Sequence, residues 1–295
     1  MKTVNDVMVE WADYHSFFVK ESTMLIYQNC IKRIGDKIPE FYNQNIEKVS
    51  QPDIQNIVIK LSKAYATNSL WNFSKVLSMT FAYAQKNKYI SQNPYYDITI
   101  PKKEKEEIHP FTKFEVERIL EVPMTQWMQD AIEIAFLTGL RKGELFALRK
   151  CDIDFTNKFL MIRKTQSIGA DGKVIITPTK TKTSCRRVDL NDRSFKILKR
   201  RAENSIGDFI FSRKGEMIVP YNITNTIKRK CKLAGISPHT FHDLRHGHAT
   251  FLLSKGVHPK IVQERLGHAS CIITLDTYSH MIPGMQRSAI QALDD

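Results

Sequence analysis

The sequence contains no run of about 18 apolar residues, so nothing in it predicts a membrane-spanning helix. The stretch from Met1 to Trp11 lacks the apolar segment of a secretory signal. Cysteine is sparse and odd in number: Cys30, Cys151, Cys185, Cys231 and Cys271 are scattered along 295 residues. No two have metal-ligand spacing, which predicts free thiols in a reducing cytoplasm rather than a disulfide framework or a zinc module. Internal repeats and low-complexity segments are also missing. What is left is ordinary globular composition, 42% hydrophobic and 25% charged, with length enough for two domains.

What the sequence has in excess is positive charge. Its net charge is +13, the footprint of a polyanion binder. The distribution is uneven. Residues 1–101 hold 11 Lys/Arg and 9 Asp/Glu, a net of +2, whereas residues 102–295 hold 33 and 22, a net of +11.

The run Pro101-Lys102-Lys103-Glu104-Lys105-Glu106-Glu107, ended by His109-Pro110, is charged and poor in apolar residues. It reads as a linker over 102–110 between domains at 1–101 and 111–295. The first domain is helical throughout. Ser50 with Pro52 and Asp53 starts a helix whose Ile54, Ile57, Val58 and Leu61 form one stripe. Residues 69–86 form a second amphipathic helix in a bundle of four or five. After the linker, Thr112 and Glu115 are spaced for a capping box, with Phe111 and Val116 as its hydrophobic staple. An apolar helix over Ala131 to Leu137 leads into Thr138-Gly139-Leu140-Arg141. The period then shortens. Phe159 to Arg163, Val174 to Thr177 and Arg187 to Leu190 read as strands, with Ala170-Asp171-Gly172 turning the first pair. From Tyr221 the pattern is helical again, with Gly256 and Gly267 as helix ends. The fold class expected is mainly α (α+β): a helical bundle, then a mostly helical domain with a small antiparallel β-sheet.

Several motifs carry chemistry. Arg141 follows Gly139 at the end of an apolar helix, with Glu144 placed to steady it, which suits bidentate phosphate binding. In His242-Asp243-Leu244-Arg245, positions i and i+3 share a helix face, so His242 and Arg245 project together. Thr240 and Asp243 give that helix a capping-box-like start. Leu266-Gly267-His268 is followed ten residues later by Tyr278. Lys180 and Lys182 lie between the second and third strands. His239, His242 and His246 are close together, but they do not form His-Glu-x-x-His and lack a suitably spaced acidic ligand, so no metal is expected.

Taken in order, Arg, Lys, His-x-x-Arg, His and Tyr, these residues resemble the tyrosine recombinase (phage integrase) family along the whole chain. The strings Thr138-Gly139-Leu140-Arg141-Lys142-Gly143-Glu144-Leu145, His242-Asp243-Leu244-Arg245-His246 and Leu266-Gly267-His268 with Tyr278 carry the likeness as a set. The resemblance implies a SAM-like core-binding domain, a catalytic domain and an integrase that cuts and rejoins DNA strands, integrating or excising a mobile element. It gives Arg141 and Arg245 the scissile phosphate and makes Tyr278 the nucleophile that leaves a 3′-phosphotyrosine. A hairpin lysine, Lys180 or Lys182, becomes the acid for the 5′ oxygen, and His242 and His268 assist. It implies no cofactor. Partners would be double-stranded DNA at attachment sites, a homotetramer in the synaptic complex with tail contacts from Met285 to Asp295, and an excisionase or a host DNA-bending protein, in the nucleoid of a bacterial cytoplasm and not at a membrane. With about 20 residues ahead of the first core-binding helices, an extra arm-binding module is not expected. A DNA-binding regulator without chemistry and a type IB topoisomerase are the competing readings.

Overall fold

The computed structural model describes residues 1–102, 109–169, 173–179 and 182–272. It divides into two compact units, one of described residues up to 102 and the other of described residues from 109, the segment 168–173 aside.

The first unit is a helical bundle. Its helices are α1 (Val4–Ser16), α2 (Glu21–Lys37), the short α3 (Pro39–Tyr42), α4 (Gln51–Ala64) and α5 (Thr67–Lys86). The first helix begins earlier than the sequence pattern suggests. Thr3 Oγ1 accepts the Asp6 amide at 3.1 Å and the Thr3 amide donates to Asp6 at 2.8 Å, a capping box that starts α1 at Val4. The expectation of about 20 residues ahead of the first helix is therefore wrong. The start expected at Ser50 is present at the head of α4, where the Ser50 amide and hydroxyl both donate to Asp53 Oδ2, at 2.9 and 2.6 Å. The stripe Ile54, Ile57, Val58 and Leu61 is buried against a core that includes Phe73, Leu77 and Phe81 of α5. Each such side chain contributes about 1.5–3 kcal/mol on full burial.

The second unit is organised around α7 (Gln126–Thr138), against which α6 (Lys113–Glu121), α8 (Lys142–Phe146), α9 (Asp192–Asn204) and α11 (Asp243–Ser254) pack. The helices α10 (Ile223–Leu233) and α12 (Pro259–Leu266) complete its described helical part. The box predicted at Thr112 and Glu115 is present, and Phe111 and Val116 are both buried in the same core.

The strands depart from the sequence reading. The strand expected from Phe159 to Arg163 is β2 (Phe159–Ile162), and a further strand, β3 (Lys164–Ile168), follows it. β2 pairs with β1 (Ile153–Asp154) on one side and antiparallel with β5 (Arg186–Asp189) on the other, whereas β3 pairs with β4 (Val174–Pro178). The partner expected for 174–177, Phe159 to Arg163, is thus corrected to β3, which lies beyond that run. The cause is burial. Leu160 and Ile162 of β2 point into the core beside Val188, while β4 is nowhere fully buried. The turn at Ala170-Asp171-Gly172 lies outside the described residues. Strand β5 also begins one residue earlier than expected, at Arg186. A minimal hairpin of β6 (Ser212–Arg213) and β7 (Glu216–Met217) has no counterpart in the sequence reading. The fold is mainly α with small antiparallel sheets. No helix among the described residues is long and apolar enough to cross a membrane.

Candidate active site

Two helices of the second unit, α7 and α12, end on glycine in the left-handed conformation, Gly139 at φ 69° and Gly267 at φ 66°. The last carbonyls of a helix have no intrahelical donor and form the negative end of its dipole. Here arginine and histidine side chains supply the missing donors. Arg245 spans both ends, donating from Nη1 to Gly139 O and from Nη2 to Leu266 O, each at 2.8 Å. Arg141 donates from Nη2 to Gly267 O at 3.2 Å, and Arg186 from Nε to Arg265 O at 2.7 Å. Arg265 Nη2 reaches Leu137 O at 3.2 Å, and His248 Nδ1 donates to Phe136 O at 2.7 Å. Arg265 Nε also donates to His248 Nε2 at 2.9 Å, which fixes the proton of that ring on Nδ1.

A buried carboxylate ties two of these arginines together. Glu144, at the third position of α8, is 2% exposed. Its Oε1 accepts from Arg141 Nη1 at 2.8 Å and from Arg186 Nη1 at 3.0 Å. Its Oε2 accepts the Arg141 amide and Arg186 Nη2, both at 2.9 Å. Burial pushes the Glu144 carboxyl up, but Arg186 and then Arg141 more than offset this and hold it at about 2. The side chain of Arg186 is 5% exposed, whereas that of Arg141 keeps 36% of its surface in solvent.

The histidines surround the same centre. Thr240 N–H donates to Asp243 at 2.6 Å, as the sequence predicts, and sets His242 at the head of α11, three residues before Arg245. The rings of His242 and His246 meet edge to face, with centroids 4.7 Å apart. Burial holds His268 down to about 4, with the charges of Arg245 and Arg141 next in effect. Burial likewise holds His246 down to about 4, with His242 second. His242 is exposed, and its lowering comes from desolvation first and from Arg245 second. Lowered in this way, these imidazoles are mostly neutral at pH 7 and can pass or accept a proton beside fixed guanidinium charge.

The fold thus brings together Arg141, Glu144, His242, Arg245 and His268. Lys182 opens a single 3-10 turn, Lys182–Ser184, that leads into β5. Lys180, Tyr278 and the tail Met285 to Asp295 lie outside the described residues, as does most of the expected 102–110 linker. Sequence reasoning missed Arg186, Arg265 and His248. For Arg186 a signal existed: it lies two residues before Val188 on the same inward face of β5. Leu244 lies in the main core, and Phe251 packs against it, while Ala249 belongs to a separate cluster with Leu253, Val262 and Leu266. No trio of His, Cys, Asp or Glu among the described residues is placed to hold a metal.

Residues 109–283 match the model of the phage integrase family. The ICEBs1 integrase of Bacillus subtilis is 30% identical, over 91% of this chain and 77% of that relative. A tyrosine recombinase described as XerC-like, from Caldanaerobacter subterraneus subsp. tengcongensis, is 31% identical over 91% of this chain and 75% of its own length. Among solved structures, the Tn1549 transposon integrase in complex with a circular intermediate DNA superposes with a TM-score of 0.83 at 22% identity, covering 99% of this chain and 100% of that one. A lambda integrase tetramer bound to a Holliday junction gives 0.73 at 23% identity, covering 92% and 78%. At these identities the structural likeness bears on the fold alone.

Proposed function

The chain belongs to the phage integrase family and is a tyrosine-type site-specific DNA recombinase; from that premise we propose that Arg141 and Arg245 clamp the scissile phosphate while Tyr278 attacks it. The phenol oxygen of Tyr278 forms a bond to phosphorus and the bond to the 5′ oxygen breaks. The leaving oxygen takes a proton from a hairpin lysine, Lys180 or Lys182, and the phenol proton passes to His242 or His268. The phosphoester energy is kept in the 3′-phosphotyrosine. The free 5′-hydroxyl of a second strand can reverse the step, so rejoining consumes no nucleotide cofactor.

Phosphoryl transfer depends on charge stabilisation and alignment more than on covalent chemistry by the protein. The observation that carries the assignment is the anchoring of the two guanidinium groups. Arg245 and Arg141 are held by carbonyls at two adjoining helix ends, on either side of Leu266 and Gly267 and next to His268. Their geometry is set before substrate arrives, as electrostatic catalysis requires. A phenol with a pKa of about 10 is a weak nucleophile at neutral pH, and this cationic setting would favour its ionised form.

The same reading makes residues 1–101 a core-binding domain and 111–295 a catalytic domain, joined by a linker at 102–110, which bind duplex attachment sites as a tetramer in the cytoplasm. The net charge of +13 supports binding dominated by phosphate contacts and strongly dependent on salt. An excisionase or a host DNA-bending protein would set direction. The test is a nicked suicide duplex carrying the core sequence that the protein protects in a footprint. Wild-type protein should form a covalent adduct and Tyr278→Phe should form none while still binding. DNA binding without any adduct from the wild type would overturn the proposal.

A further inference from the structure

The fork of Arg186 on Glu144 has no part in the clamp as described, yet it shares both carboxylate oxygens with Arg141. We propose that Arg186 is a positioning residue for strand cleavage, which holds Glu144 so that the charge of Arg141 stays directed at the DNA phosphate. The proposal rests on Arg141 being a phosphate clamp.

Glu144 is a buried carboxylate between two guanidinium groups. With Arg186 in place the three groups carry a net charge of +1, and Arg186 satisfies one lone pair on each oxygen. Arg141 can then steady itself on Glu144 and still present an uncompensated charge through its solvent-facing edge. Without Arg186 the buried carboxylate has Arg141 as its single guanidinium partner. The pair is then neutral, and the low-dielectric surroundings draw Arg141 onto the carboxylate and away from the DNA.

Arg186 is itself over-determined, as a positioning group must be. Its Nε donates to Arg265 O at 2.7 Å and its Nη1 also donates to Ser184 O at 3.1 Å. Gly267 lies against it so closely that a methyl group there would stand 3.0 Å from Cδ and 3.1 Å from Nη1 of Arg186. One side chain therefore joins the start of α8, the end of α12 and the turn at Lys182–Ser184. Lysine offers a single nitrogen and cannot reproduce four contacts with this spread.

The test compares cleavage of two suicide duplexes carrying the footprinted core sequence, one with a normal scissile phosphate and one with a methylphosphonate there. The methylphosphonate lacks the negative charge that the clamp neutralises, so it should depend less on Arg141 being well aimed. In Arg186→Met, cleavage of the phosphate duplex should fall by about 100-fold, the cost of a misplacement on the order of 1 Å. Cleavage of the methylphosphonate should fall by less than about tenfold, and Arg141→Ala should show the same preference. Arg186→Lys, which keeps the buried charge, should show a smaller bias of the same sign and serves if the methionine variant fails to fold. Equal loss on both duplexes, or no loss on either, would overturn the proposal. So would rescue by a 5′-bridging phosphorothiolate in place of the methylphosphonate, since that points to the leaving-group acid instead. If the wild-type protein forms no adduct with the phosphate duplex, the clamp assignment itself has failed, and this inference with it.

Discussion

Arg245 donates to the carbonyl of Gly139 at 2.8 Å, across 106 residues of sequence, and this bond makes the end of α7 the seat of a catalytic candidate. Gly139 is suited to this position for two reasons. Its φ of 69° lies in the left-handed region, and a Cβ there would stand 2.6 Å from His248 Cδ2 and 2.7 Å from Leu266 Cδ2. Gly139→Ala should therefore lose about 1–2 kcal/mol to backbone strain and about 1–3 kcal/mol more to overpacking. Thermal unfolding should report a midpoint lower by several degrees, with adduct formation reduced more than DNA binding. A variant of unchanged midpoint and full cleavage would contradict this role of the glycine.

Gly143 makes a second close approach. It lies within α8, and a Cβ would meet Thr165 Oγ1 at 2.4 Å and the Gln166 carbonyl at 2.8 Å. Helix α8, which carries Glu144, thus packs directly on the backbone of β3, the strand paired with β4, which precedes Lys180 and Lys182 in the chain. Gly143→Ala should push that strand away, at a cost of about 1–3 kcal/mol. Leaving-group protonation should suffer most. Cleavage of a normal duplex should fall, and a 5′-phosphorothiolate duplex, which needs no acid, should restore much of it. Equal losses on both duplexes would argue that the displacement acts elsewhere.

Much of this architecture is legible in the sequence where a local rule sets it. The capping boxes at Ser50 and Thr112, the stripe from Ile54 to Leu61 and the grouping of His242 with Arg245 follow from spacing along one helix. What escapes is what depends on distant backbone. The strand β3 beyond Arg163 is missed as the partner of β4, because β2 is taken up by β5, 20 or more residues away. Arg186, Arg265 and His248 look like ordinary polar residues until the two helix ends they serve are brought together. The unmet carbonyls of α7 and α12 create the demand for their donors, and those carbonyls meet only in the folded chain.

The buried histidine His248 gives a pH dependence of definite sign. Burial holds it down to about 3, with Arg265 next in effect, against an ordinary value of 6.5. The unfolded chain then binds a proton between these values that the folded chain refuses. Stability of the second unit should fall as pH drops below about 6.5 and go on falling toward pH 3. In His248→Asn, whose amide can still donate to Phe136 O, baseline stability should be lower by about 1–3 kcal/mol because Arg265 loses its acceptor. The slope between pH 6.5 and 4 should be shallower than in the wild type. Denaturant titrations across that range measure it, and an unchanged slope would remove His248 as its source.

Glu144 adds a separate acid limb. Its carboxyl moves from 4.5 in the ordinary case to about 2, so its stabilisation is complete above about 4.5 and is lost as pH falls toward 2. The group is almost wholly buried, and the displacement corresponds to about 3 kcal/mol. Glu144→Gln keeps the shape but leaves Arg186 without its anionic partner in the interior. Breaking a buried pair from one side costs about 3–5 kcal/mol. The variant should be less stable at neutral pH and should show no loss specific to the range from pH 4.5 to 2, while the histidine limb above it persists. The double variant with His248→Asn should lose the Glu144 limb and the His248 share of the histidine limb, leaving the share of His246 and His268, and following unfolding free energy against pH in the four proteins separates the two groups. A glutamine variant that retains wild-type stability at pH 7 would mean that Arg186 finds other acceptors, and that the carboxylate is not the group holding the two arginines in register.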